Sequence, residues 1–140
     1  MTFLGIDYGT KRIGLAVSDE GGRLAFPRET VKNNGELQRK LGEIIAREKI
    51  NEIVIGESLD FAGLPNVLKR EVDFFIENLK RKFKLPVHEE KEFFSSFEAH
   101  DKMGKIAMQA RKSKAPKTEN LDARAAAVIL QRFLDRYNKK

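Results

Sequence analysis

The stretch GIDYGTKRIGLAVSD, residues 5–19, constrains this chain more than any other. An apolar run (Phe3, Leu4, Ile6) leads into a carboxylate, Asp7, and the chain turns at once through Tyr8-Gly9-Thr10. Apolar residues then return at every second position, Ile13, Leu15 and Val17, before Ser18-Asp19. Such alternation belongs to a half-buried strand, and Gly9 and Asp19-Glu20-Gly21-Gly22 supply turn chemistry on either side. The pattern predicts a β-hairpin with Asp7 on its first strand, in the middle of a sheet. A carboxylate there is costly unless a metal ion or a cationic partner compensates its charge.

Further along, Arg23 to Val31 reads as a third strand in which Leu24 and Phe26 alternate with polar residues. Pro27 places that strand at an edge or at a bulge. Leu37, Leu41, Ile44 and Ile45 fall at helical spacing, so an amphipathic helix is predicted from Gly35 to Glu48. Ile53-Val54-Ile55-Gly56 resembles a buried parallel strand. After a turn at Gly63-Leu64-Pro65, the residues Leu64, Leu68, Val72, Phe75, Ile76, Leu79 and Phe83 trace one face of a long helix. A fifth strand opens at Leu85-Pro86-Val87 and runs toward Glu92. Ser95 and Glu98 have capping-box spacing, which starts another helix that fades near Arg111. The last helix covers Glu119 to Tyr137, with Leu121, Ala125, Val128, Ile129 and Phe133 turned inward. The expected class is α/β: a three-strand antiparallel meander plus two parallel strands, flanked by helices.

At 140 residues the chain suits one domain spanning 1–140. It has no Cys, which excludes thiol catalysis, disulfides and Cys-based metal sites. No apolar run approaches the roughly 20 residues of a membrane span, so a cytoplasmic protein without a membrane role is expected. A formal charge of +6 suits a polyanionic partner, although a modest basic excess also serves solubility.

Three carboxylates are candidates for a metal site: Asp7 on the first strand, Glu92 at the end of the fifth, and Asp122 in the first turn of the last helix. Hard cations such as Mg²⁺ take oxygen ligands, one or two carboxylates per ion. Two such ions activate an attacking water and stabilise the leaving oxygen of a phosphodiester. Each acid also has a plainer reading: Asp7 as a turn cap, Glu92 in a solvated charge run, and Asp122 as a favourable charge near a helix N-terminus.

GIDYGTKRIGLAVSD, IVIG, EFFSSFEA and LDARAAAVILQRFLD, in that order, resemble the sequence blocks of the YqgF family, Holliday-junction-resolvase-like proteins also described as pre-16S rRNA nucleases. The resemblance covers essentially the whole chain. It implies a ribonuclease-H-like fold, an Mg²⁺- or Mn²⁺-dependent nuclease, and Asp7, Glu92 and Asp122 as catalytic metal ligands. The chain departs from the family pattern at Lys91, where an acid is usual, and at Phe93, where Arg is usual. Glu57-Ser58 also replaces an apolar residue and Pro, which makes Glu57 a candidate extra carboxylate.

Basic residues add an independent pointer to nucleic acid. Residues 102–118 hold six cations and no acid. Among them Arg111, Lys112, Lys114 and Lys117 lead up to Asp122, where they would rim the acids with positive charge. Tyr8, Lys11 and Arg12 at the hairpin mouth are further candidates for substrate contact. The expected partner is structured RNA or branched DNA, bound by a monomer or a homodimer. Two other readings stay open: a non-catalytic nucleic-acid-binding module of the same fold, and a nucleotide-binding ATPase, because IDYGT also resembles the phosphate hairpin of the actin, heat-shock-70 and sugar-kinase group.

Overall fold

Alternation in the hairpin sorts its side chains onto two faces, and helices pack against both. The structure, a computed structural model, describes residues 1–57, 66–90 and 117–139. Its strands are β1 (Phe3–Tyr8), β2 (Arg12–Ser18), β3 (Ala25–Lys32), β4 (Glu52–Glu57) and β5 (Val87–Glu90). The helices among the described residues are α1 (Leu37–Arg47), α2 (Asn66–Phe83) and α3 (Lys117–Tyr137). One sheet runs in the order β3-β2-β1-β4-β5. The pairs β1–β2 and β2–β3 are antiparallel, and β1–β4 and β4–β5 are parallel. The expected meander with two added parallel strands is therefore present, and β1, which carries Asp7, is its central strand.

On one face, Leu4, Ile6, Ile13, Leu15, Ile53 and Ile55 receive α1 and α2 through Leu37, Leu41, Ile44, Val72, Phe75, Ile76 and Leu79. Fully burying one such aliphatic side chain contributes about 1.5–3 kcal/mol. Helix α1 ends at a left-handed residue, Lys49, whose N–H donates to the Ala46 carbonyl while Ile50 N–H donates to Ile45. That pairing satisfies the last carbonyls of the helix and turns the buried Ile50 back onto the core.

The opposite face receives α3 through Ala126, Ile129, Leu130 and Leu134, packed on Phe3, Ala16 and Val54. This corrects the predicted inward stripe. Ala125, Val128 and Phe133 are only half-buried, while Ala123, Ala126, Leu130 and Leu134 face the sheet with Ile129. The reason lies in the sheet. A Cβ on Gly5 would stand 2.7 Å from Leu130 Cβ, and one on Gly56 would stand 2.7 Å from Ile129 Cδ1. The helix therefore lies close on these glycines: Leu130 and Ile129 fill the space that Gly5 and Gly56 leave, and the Asp122–Ala123 backbone rests on Gly14.

Pro27 sits both at the edge and at a bulge: Leu15 pairs with Glu29 but Ala16 pairs with Pro27, leaving one extra residue on β3. Leu24 and Phe26, the apolar residues expected to alternate with polar ones on that strand, are 56% and 53% exposed. Residue 24 precedes the strand, and the bulge and the edge position leave Phe26 without a covering layer. The helix expected from Ser95, together with Glu92, Arg111, Lys112 and Lys114, lies outside the described residues.

Candidate active site

Helix α3 runs down the sheet from the C-terminal end of β1 to its N-terminal end. Asp122 lies over Gly14, Ala126 and Leu130 lie over Gly5, and Tyr137 meets Phe3 ring to ring at 5.6 Å. The N-terminal half of α3 thus stands at the end of the sheet where the parallel strands β1, β4 and β5 all finish. In open α/β sheets, ligands bind in the crevice outside the carboxyl ends of the strands.

Asp7 is brought to that end by register. It pairs with Gly14 on β2 and with Gly56 on β4, glycines on both sides. Paired residues on neighbouring strands project to the same face, so Asp7 shares its face with the approaching helix. Asp7 is 9% exposed, which makes it one of few buried charged groups among the described residues. A Cβ on Gly14 would lie 1.9 Å from the carbonyl oxygen of Asp122. Cα atoms of antiparallel partners stand about 4.5–5.5 Å apart. The backbone of Asp122 is therefore within about 9 Å of the Asp7 Cα by that spacing, near enough for two carboxylates to share a cation.

Asp122 lies in the second turn of α3, not the first, because the helix begins at Lys117. Interaction with the helix dipole falls off within the first turn, so the plain helix-start reading of Asp122 loses its basis. Its carboxylate, 29% exposed, forms an ion pair with Arg12, whose Nε is 2.9 Å from Oδ2. Arg12 is the first residue of β2, and the contact draws the carboxylate toward the hairpin mouth. Lys11 beside it is exposed, and its carbonyl accepts from Asn33 N–H at 2.9 Å. Asn33 Nδ2 also donates to the Gly9 carbonyl at 2.9 Å, which fixes the turn after Asp7.

Tyr8 has no place in this site. It projects to the other face, 3% exposed, with its ring 5.0 Å from Phe75 and its hydroxyl donating to Glu71 Oε1 at 3.0 Å. Burial, with the Glu71 carboxylate alongside, raises the phenol above its ordinary range. Tyr8 thus ties the end of β1 to α2 from behind.

Sequence reasoning missed Glu90. It pairs with Gly56, so Glu90, Gly56, Asp7 and Gly14 form one row across β5, β4, β1 and β2. Glu90 is 2% exposed and accepts from Arg136 of α3. Desolvation raises its carboxyl above the usual range, while the guanidiniums of Arg136 and Arg132 pull the other way. Within HEEKE it reads as surface charge; the signal that marks it is strand parity with the glycine of IVIG. Ile129 fills the gap over Gly56, between Glu90 and Asp7. Glu90 is accordingly an anchor for α3.

Glu57 closes β4 in register with Tyr8. Its side chain lies outside the described residues, as do Glu92 and the side chain of Lys117. Among the described residues no three His, Asp or Glu form a metal cluster. Two carboxylates on backbones this close still suit a hard dication, since Mg²⁺ is commonly held by one or two carboxylates and water.

Comparison with known proteins bears on this arrangement. The family model described as "RuvX: Holliday junction resolvase" matches residues 1–136. The chain belongs to the RuvX family. This is the YqgF family of the sequence resemblance, and the match spans the blocks that carry Asp7, Glu92 and Asp122. The chain is 41% identical over 138 residues to a protein of Nitratidesulfovibrio vulgaris named "Putative pre-16S rRNA nuclease", covering 96% of this chain and 94% of that one. A relative of the same name from Maridesulfovibrio salexigens is 38% identical, with 97% and 99% covered. Among solved structures, Thermus thermophilus RuvC in complex with Holliday junction substrate superposes with a TM-score of 0.64 at 21% identity, covering 99% of this chain and 96% of that one. That likeness establishes the ribonuclease-H-like fold. Family and relatives alike carry the names of nucleases, so the expectation of a phosphodiester hydrolase is borne out for this RuvX chain. No helix among the described residues is long and apolar enough to cross a membrane.

Proposed function

We propose that this chain is a divalent-metal-dependent nuclease acting on structured nucleic acid, with Asp7, Glu92 and Asp122 holding Mg²⁺ or Mn²⁺. The observation that carries the reading is the contact of Asp122 with Gly14, the strand partner of Asp7, which joins two distant acids at the C-terminal end of the sheet. When bound, the metal polarises the phosphate and lowers the pKa of the attacking water. The chain supplies the rest. Asp7 gives a carboxylate on the central strand whose position packing fixes. Asp122 gives one on a helix seated against bare glycine backbone. Lys11, Arg12, Arg111, Lys112, Lys114 and Lys117 neutralise backbone phosphates, so affinity falls with salt and carries no base code. Glu57, in register with Tyr8 and not with Asp7, is left out of this ligand set. The single domain, 1–140, works in the cytoplasm as a monomer or a homodimer.

The first substrate to test is the 5′ extension of pre-16S rRNA, after the name of the relatives, and the second is a four-way DNA junction, after the description of the family. Incubation of the full chain with each, with Mg²⁺ and with excess chelator, decides the matter. Cleavage that needs the divalent ion is expected for at least one. Salt-sensitive binding to both with no cleavage of either would leave only a nucleic-acid-binding module.

A further inference from the structure

Arg12 holds the carboxylate that the proposed function assigns to a metal ion. We infer that Arg12 is an exchangeable counter-ion: it occupies Oδ2 of Asp122 before a divalent ion binds, and it releases that oxygen to the ion and turns its guanidinium to a substrate phosphate. The inference rests on Asp122 being a metal ligand.

Position makes the exchange local. The backbone of Arg12 is held by its pairing with Lys32 on β3, and that of Asp122 by its seat on Gly14. Neither anchor depends on the ion pair, so breaking it moves side chains only. Arg12 is 46% and the Asp122 side chain 29% exposed, with Oδ2 itself covered, whereas the Glu90 side chain is almost wholly sealed under α3. A half-exposed ion pair is weak, a factor of a few in an equilibrium constant. A hard dication that prefers oxygen ligands can therefore displace it.

Chemistry makes the exchange useful. The contact uses Nε, one of the five N–H donors of the guanidinium. A freed planar fork matches two phosphate oxygens at once, which an ammonium cannot do. Positive charge would then reach the phosphate only after the acids have been neutralised by the metal. Arg12 would couple metal loading to substrate grip.

The test is calorimetric titration of Mn²⁺ into the full chain and into Arg12→Gln, Lys32→Gln and Asp122→Asn. Lys32 is the strand partner of Arg12, so its variant removes a neighbouring cation without touching the ion pair. Arg12→Gln is expected to bind Mn²⁺ about two- to fivefold more tightly, Lys32→Gln like the parent, and Asp122→Asn more weakly. In the parent, Mg²⁺ is also expected to shift the Arg12 Nε–H resonance in ¹⁵N-edited spectra. Equal Mn²⁺ affinity in the parent and Arg12→Gln, or equal tightening by Lys32→Gln, overturns the exchange. If Asp122→Asn still loses affinity, the proposed metal site stands without it. Absence of Mn²⁺ binding to the parent removes that site, and the exchange with it.

Discussion

The carbonyl oxygen of Asp122 occupies the space that a methyl group on Gly14 would fill, 1.9 Å from where its carbon would stand. Gly14 is also the strand partner of Asp7. One missing side chain therefore sets the distance between the two acids, linking the packing of α3 to the geometry of the site.

Gly14→Ala should act on both. Backbone cannot yield there as a flexible side chain would, so α3 must lift from β2. Overpacking of this kind costs about 1–3 kcal/mol, occasionally more. Urea melts should show that loss, and cleavage by the fraction that stays folded should fall further than the stability change explains. Gly35→Ala is the control, because a Cβ there meets nothing within 4 Å. Equal cleavage by folded Gly14→Ala and the parent would show that the seat of α3 does not position Asp122.

The turn between β2 and β3 makes a prediction about pH. Asp19 Oδ1 accepts from Arg23 N–H at 2.8 Å and from Leu24 N–H at 3.1 Å, which lowers its carboxyl below the ordinary 3.8. The same turn is tied to α3, since Gln131 Nε2 donates to the Arg23 carbonyl and Asn138 Nδ2 to that of Gly22. A carboxyl lowered by folding contributes stability above its unfolded pKa and loses it as pH falls through the folded value. Asp19→Asn should therefore be less stable than the parent at neutral pH, with the difference shrinking as pH drops below 3.8. Denaturant midpoints across the acid range check this; a difference that does not change with pH would contradict it.

These elements also show how much of the molecule could be read from the chain. The hairpin and β4 were legible because alternation and a short apolar run report burial directly, and the interior position of Asp7 followed. The inner face of α3 is less legible, because bulk alone does not mark it. On a surface paved by Gly5, Gly14 and Gly56, the small Ala123 and Ala126 are buried along with Ile129, Leu130 and Leu134. Glu90 was hidden by its charged neighbours, since local composition cannot tell a solvated acid from one roofed by Arg136. Leu24 and Phe26 show the converse: apolar but exposed, Leu24 just before the edge strand and Phe26 on it beside a bulge that only Pro27 signals. That the backbone of Asp122 rests on Gly14, the strand partner of Asp7, is not legible in any local pattern, because such patterns do not join residues so far apart along the chain.

The proposed hydrolysis stands on Asp7 as a ligand of the metal ion. The most direct measurement is the Mg²⁺-dependent cleavage rate of Asp7→Asn beside the parent, with thermal melts of both. Asn preserves the shape and removes the charge, so the fold should persist while the rate falls by about 100-fold or more. A folded Asp7→Asn that cleaves at the parental rate would contradict the account.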